Sequence, residues 1–167
     1  MGLFDIFKPK KFTPRSHTSN TRMPKNKTEA GFMAPGLLKI ANDSANLVNT
    51  TKKPDVFFAR YDTLLDCMEK LSLLEDSIKF NGTKPSKQFR DLEIGRERNT
   101  HLFINRFYQE TLNKINALKT NKAKYNKVCN FYTLLEDYFH KMSPNNIKEI
   151  EEMNATLEQK YGPNSWK

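Results

Sequence analysis

Glycine, cysteine, valine and long apolar runs are all scarce in this chain of 167 residues. Six glycines are too few for a turn-rich all-β fold, and no Walker loop or dinucleotide fingerprint occurs among them. No segment approaches the ~18 consecutive apolar residues of a membrane-spanning helix. Cys67 and Cys129 are the only cysteines, which excludes a disulfide framework and leaves too few ligands for a zinc site. Both are expected to be reduced thiols in a cytoplasmic chain. No secretory signal is legible at the N-terminus. Strand-like alternation is missing throughout, so a sheet core is disfavoured.

What is present is charge and helical periodicity. The formal net charge is +9, distributed unevenly. Residues 1–34 carry seven Lys and Arg against Asp5 and Glu29. Residues 79–127 carry twelve against Asp91, Glu93, Glu97 and Glu110, an excess of +8. Residues 128–162 reverse the sign, with three lysines against six acids. Such polarity suits contact with a phosphate-rich surface, whether nucleic acid or anionic lipid.

Residues 1–35 read as a disordered basic tail, because Pro9, Pro14, Pro24 and Pro35 break any helix and little apolar surface offsets ordering. From Gly36 the pattern becomes helical. A short apolar helix ends near Asn49, and a second starts at Asp55 after Pro54. Phe57, Tyr61, Leu64, Leu65, Met68, Leu71, Leu74 and Ile78 recur at steps of mostly three and four, and Asn81-Gly82 reads as its left-handed cap. Ser86 is the expected N-cap of a third long segment running through Phe103, Phe107, Tyr108, Leu112 and Ile115 to Leu118. A fourth spans about 121–142, and Ser143-Pro144 opens the last. The expected architecture is all-α: about four to five long antiparallel helices over 36–162, with a short tail at 163–167.

Chemistry is harder to find. Residues 95–101 (Gly-Arg-Glu-Arg-Asn-Thr-His) interrupt the third apolar stripe. They read as a helix that overhangs its neighbours or kinks at Gly95, with the polar run in water; the competing reading puts Arg96 and Asn99 inside. Glu93, Glu97 and His101 share a helical face, but their spacing of four is not the Glu-x-x-His of di-iron bundles. Neither cysteine carries a nucleophile signature. No catalytic, cofactor-binding or metal residue is therefore assigned, and no enzyme is expected.

Two contact sets are assigned. The first is the tip over residues 1–8, where Leu3, Phe4, Ile6 and Phe7 cluster on one side of a short helix, followed by Lys8, Lys10 and Lys11. Apolar wedges beside lysines suit an anionic bilayer at the inner face of a membrane, or a partner groove. Gly2 does not signal myristoylation, because Ile6 stands where Ser or Thr is required. The second set is Arg96, Arg98, Arg106, Lys119, Lys122, Lys124 and Lys127, available to an anionic partner. The leading functional reading is a non-enzymatic helical interaction or scaffold module for a protein partner. The alternative is a nucleic-acid-associated protein using residues 79–127 and the basic tail.

Overall fold

The computed structural model describes residues 25–74 and 78–166, the side chains of Lys27 and Ala30 excepted. Six α-helices account for most of it: α1 (Lys27–Thr50), α2 (Pro54–Ser72), α3 (Pro85–Ile94), α4 (Arg96–Asn116), α5 (Asn121–Glu136) and α6 (Pro144–Tyr161). Single 3-10 turns follow α5 and α6, at Phe139–Lys141 and Pro163–Ser165. Among the described residues there is no strand, only an isolated bridge between Phe80 and Thr83. The chain is thus all-helical as expected. The expected set of four to five long helices is not what forms, because there are six and α3 has only 10 residues.

Each difference has a local cause. The sequence reading starts the first helix at Gly36, after Pro35; the structure starts it at Lys27 and carries it through Pro35. Asn26 caps it by accepting from the Glu29 amide at 2.9 Å, and Glu29 accepts from the Lys25 amide at 2.7 Å. Pro35 and Gly31 are both exposed, on the side of the helix where water can replace the hydrogen bond that proline cannot donate. Burial of Ala34 and Leu37 then holds the extra turns in place.

At the second helix the sequence reading overshoots. α2 ends at Ser72, and Asn81-Gly82 is a two-residue turn rather than a cap. Asn81 (φ 47°) and Gly82 (φ 81°) both take positive φ, and Phe80 and Thr83 exchange backbone hydrogen bonds of 2.8 and 2.9 Å across them. The third segment is broken at Gly95 into α3 and α4, and its cap is Lys84 with Pro85 at the first position, not Ser86. α5 stops at Glu136, short of 142. Ser143 and Pro144 open α6 as expected, with the Asn146 amide donating to Ser143 Oγ at 3.2 Å.

α2 is the spine. Its first half (Phe57, Phe58, Tyr61) joins Val48, Phe103, Ile104, Phe107, Val128, Phe131 and Leu135 in one core. Its second half (Leu64, Cys67, Met68, Leu71) joins Ala34, Leu37, Ala41, Leu74 and Phe80 in another. The buried positions of α1 are Ala34, Leu37, Ala41, Ser44 and Val48, spaced three and four, a narrow seam laid along α2. Rings dominate the first core: Phe57 stacks on Phe103 at 4.3 Å, and Phe107 stacks on Phe131 at 5.4 Å. Such pairs contribute about 0.5–1.5 kcal/mol each beyond the area they bury.

Candidate functional site

The polar window at 95–101 becomes a bracket between helices. Gly95 ends α3 and starts α4, and its backbone runs so close that a Cβ would lie 2.8 Å from the Asp91 carbonyl oxygen. The resulting elbow turns Arg96 onto Asp62 of α2 at 3.2 Å, and Lys141 reaches the other Asp62 oxygen from the 3-10 turn. The Arg96 guanidinium also lies 5.6 Å over the Tyr61 ring. Tyr61 is buried, donates its hydroxyl proton to the Leu92 carbonyl, and accepts from Asn99 Nδ2 at 3.1 Å. Burial raises the Tyr61 pKa, with Asn99 and Arg96 opposing, so the ring stays a neutral donor.

The far side of the window meets α6. Asn145 Nδ2 donates to Glu97 Oε1 at 2.8 Å, and Asn146 Nδ2 donates to the Glu97 carbonyl at 3.3 Å. His101 Nδ1 lies 2.8 Å from Glu149 Oε1. The run is therefore neither buried charge nor simply solvated. Its side chains tie α2, α4 and α6 together.

Two adjoining cavities flank this bracket, of about 620 and 650 Å³. Ile94, Glu97 and Asn146 line both. Arg96, His140 and Lys141 complete one, while Arg98, His101 and Glu149 complete the other. Ile94 is 83% exposed at their shared rim, and Leu102 of α4 is 46% exposed. Side chains of both signs line each hollow, which suits a partner of mixed polarity.

Among the described residues, no three His, Cys, Asp or Glu side chains stand close enough to hold a metal ion. Burial, with Asp66 adding and Lys70 opposing, pushes the Cys67 thiol up to about 12. It carries almost no thiolate at neutral pH. No described helix is long and apolar enough to cross a membrane.

The basic set from the sequence divides. Arg96 is held by Asp62. Arg106 donates to the Val48 and Thr51 carbonyls at 2.7 and 3.4 Å, closing the C-terminal end of α1, where a cation complements the dipole. Arg98 stands at the elbow. Lys119 and Lys122 are exposed and Lys124 and Lys127 half-buried around the α4–α5 turn, at the opposite end of α4, which spans about 30 Å at ~1.5 Å per residue.

Two residues that the sequence reading gave no contact role, Tyr161 and Trp166, join Tyr125 at that turn. Tyr161 Oη lies 3.2 Å from Asn116 Oδ1, Trp166 Nε1 donates to the Tyr161 carbonyl at 3.0 Å, and the Trp166 and Tyr125 rings meet edge to face at 6.0 Å. Lys160 Nζ sits 5.2 Å over the Tyr161 ring. No local sequence signal links positions 125 and 166. Leu3, Phe4, Ile6, Phe7, Lys8, Lys10 and Lys11 lie outside the described residues. Comparison with protein-family models, curated proteins and solved structures finds no match for this chain.

Proposed function

We propose that the chain is a non-enzymatic helical interaction module whose working face is the α3–α4 elbow and whose partner is a protein. The observation that carries the reading is Ile94: a large aliphatic side chain, 83% exposed, at the rim of two charged hollows. Side chains of that kind, ringed by polar groups, are what partners cover. Hydrogen bonds from Asn99 to the Tyr61 hydroxyl, from Asn145 to the Glu97 carboxylate and from Asn146 to the Glu97 carbonyl brace the elbow, so little ordering entropy opposes docking. With this reading goes a cytoplasmic location, and peripheral contact of residues 1–11 with an anionic membrane.

Affinity capture with the full chain tests it. A protein retained by the wild type should be lost on Ile94→Glu, kept on the exposed control Lys87→Glu, and insensitive to nuclease. Capture unchanged by Ile94→Glu, or abolished by nuclease, overturns the elbow as the docking face. Liposome flotation tests the membrane contact separately: Phe4→Asp and Phe7→Asp should each abolish binding to anionic vesicles at low salt. The alternative, a nucleic-acid-associated protein using residues 79–127 and the basic tail, shares Arg96 and Arg98 with this face, and nuclease treatment separates the two.

A further inference from the structure

We propose that the end of the bundle where α4, α5 and α6 meet binds single-stranded nucleic acid, stacking a base on Trp166 and holding phosphates with Lys119, Lys122 and Lys160. The inference is independent of the elbow. It rests on an assembly that only the fold creates: the end of α4 at Asn116 meets Tyr161 of α6, and Tyr125 of α5 meets Trp166 beyond it.

Trp166 is held without being hidden. Its Nε1 proton goes to the Tyr161 carbonyl, and its ring stands at 81° to Tyr125. The residue nevertheless is 40% exposed. A fixed and accessible indole is a stacking platform for any base, since every base offers a π face. Lys122 lies three positions before Tyr125 and therefore on the same side of α5. Lys119 belongs to the turn, and Lys160 extends over Tyr161.

Lys122 is also placed against local preference. The first turn of α5 contains Lys122 and no acid, although the positive end of a helix dipole disfavours a cation there. Among the described residues, Lys119, Lys122 and Lys160 make no ion pair. Glu158, whose charge acts on Tyr125, accepts from Asn154 Nδ2 at 3.1 Å. A phosphate beside Lys122 would neutralise that lysine and suit the α5 dipole together.

A bilayer fits this end less well. Of the other exposed large hydrophobics, Phe32 and Leu47 are on α1, Leu73 follows α2, Ile94 ends α3, Leu102 is in the first half of α4 and Leu134 is near the C-terminal end of α5. Only one ring could therefore insert. A duplex fits poorly too, because its bases are already stacked and offer the indole no face.

The chain has a single tryptophan, so its emission reports on this site directly. Adding dT12 to the full chain at low salt should quench and shift that emission, and salt should reverse the effect. With fluorescein-labelled dT12, Trp166→Ala should weaken binding roughly tenfold and Trp166→Phe should restore most of it. The triple variant Lys119→Ala, Lys122→Ala, Lys160→Ala should lower the log–log salt slope by about 2, at ~0.7 per phosphate contact on a single strand. Lys39→Ala with Lys87→Ala, two exposed lysines elsewhere, should leave both readings unchanged. Far-UV spectra should show all variants folded. Binding of dT12 that leaves the tryptophan emission unchanged would overturn the inference, because the basic residues at 8–27 would then account for it. So would equal loss in the control pair, equal quenching by the dT12·dA12 duplex, or quenching by phosphatidylserine vesicles with none by dT12.

Discussion

Gly95 and Gly36 respond to an added methyl group in opposite ways, and the reason lies in what each backbone approaches. At Gly95 a Cβ would meet the Asp91 carbonyl oxygen at 2.8 Å. Gly95→Ala must therefore shift the elbow, at a cost of about 1–3 kcal/mol. At Gly36, inside α1, nothing lies within 4 Å. Gly36→Ala should stabilise by about 0.5–1 kcal/mol by removing glycine's extra freedom from the unfolded chain. Urea midpoints moving in the same direction for both would contradict the elbow geometry. Tyr61 supplies a second residue-scale prediction. Tyr61→Phe leaves the Leu92 carbonyl and Asn99 amide without their hydroxyl partner, costing about 1–3 kcal/mol at neutral pH. Its pKa is raised in the fold from an ordinary 10.0, so its stabilising effect is complete below pH 10. That effect is lost as pH rises through the higher folded value, because the unfolded chain ionises first. The wild type should therefore lose stability above pH 10 more steeply than Tyr61→Phe, measured by urea titration from pH 8 to 11.

At the scale of the element, α1 shows how burial outweighs a breaker. Proline in a helix interior costs about 3 kcal/mol, yet the seam of Ala34, Leu37, Ala41, Ser44 and Val48 runs across Pro35 without interruption. Pro35→Ala restores a donor to the Gly31 carbonyl and should stabilise by about 1–2 kcal/mol, after allowing for the looser unfolded chain. A fall in thermal midpoint would mean that Pro35 has a role beyond being tolerated. The same logic explains why α2 stops early. Its apolar stripe continues into Leu74 and Ile78, buried and half-buried, but neither is helical, and the Asn81-Gly82 turn follows them. Periodicity records which side chains are buried, and a loop can deliver them as well as a helix can.

At the scale of the whole molecule, the two cores share α2 and cannot lose it separately. Phe57 and Tyr61 serve one core while Leu64 and Met68 serve the other, one or two turns apart on the same helix. Unfolding should accordingly be a single transition. Trp166 emission, which reports on the α5–α6 end, should share its urea midpoint with the far-UV signal, to which α1 and α2 contribute strongly. Two separated midpoints would show that α2 can fray from one core while held by the other.

The all-helical class, the start of α2 to within one residue (Pro54, with Lys53 as cap, for the expected Asp55) and the start of α6 at Ser143-Pro144 were determined by sequence alone. Each depends on side-chain period or on groups within one turn of each other, and such signals survive without a fold. Gly95 as the place to kink was legible for the same reason. What Arg96, Asn99 and His101 do there was not, because their partners Asp62, Tyr61 and Glu149 are 34, 38 and 48 residues away. The basic set illustrates both limits: composition identified the lysines of the α4–α5 turn, but only packing separated them from Arg96 and Arg106, which hold the fold together. Packing also brought Trp166 to Tyr125. Local physics sets where helices can start; burial across the chain decides where they end and which charges are left for a partner.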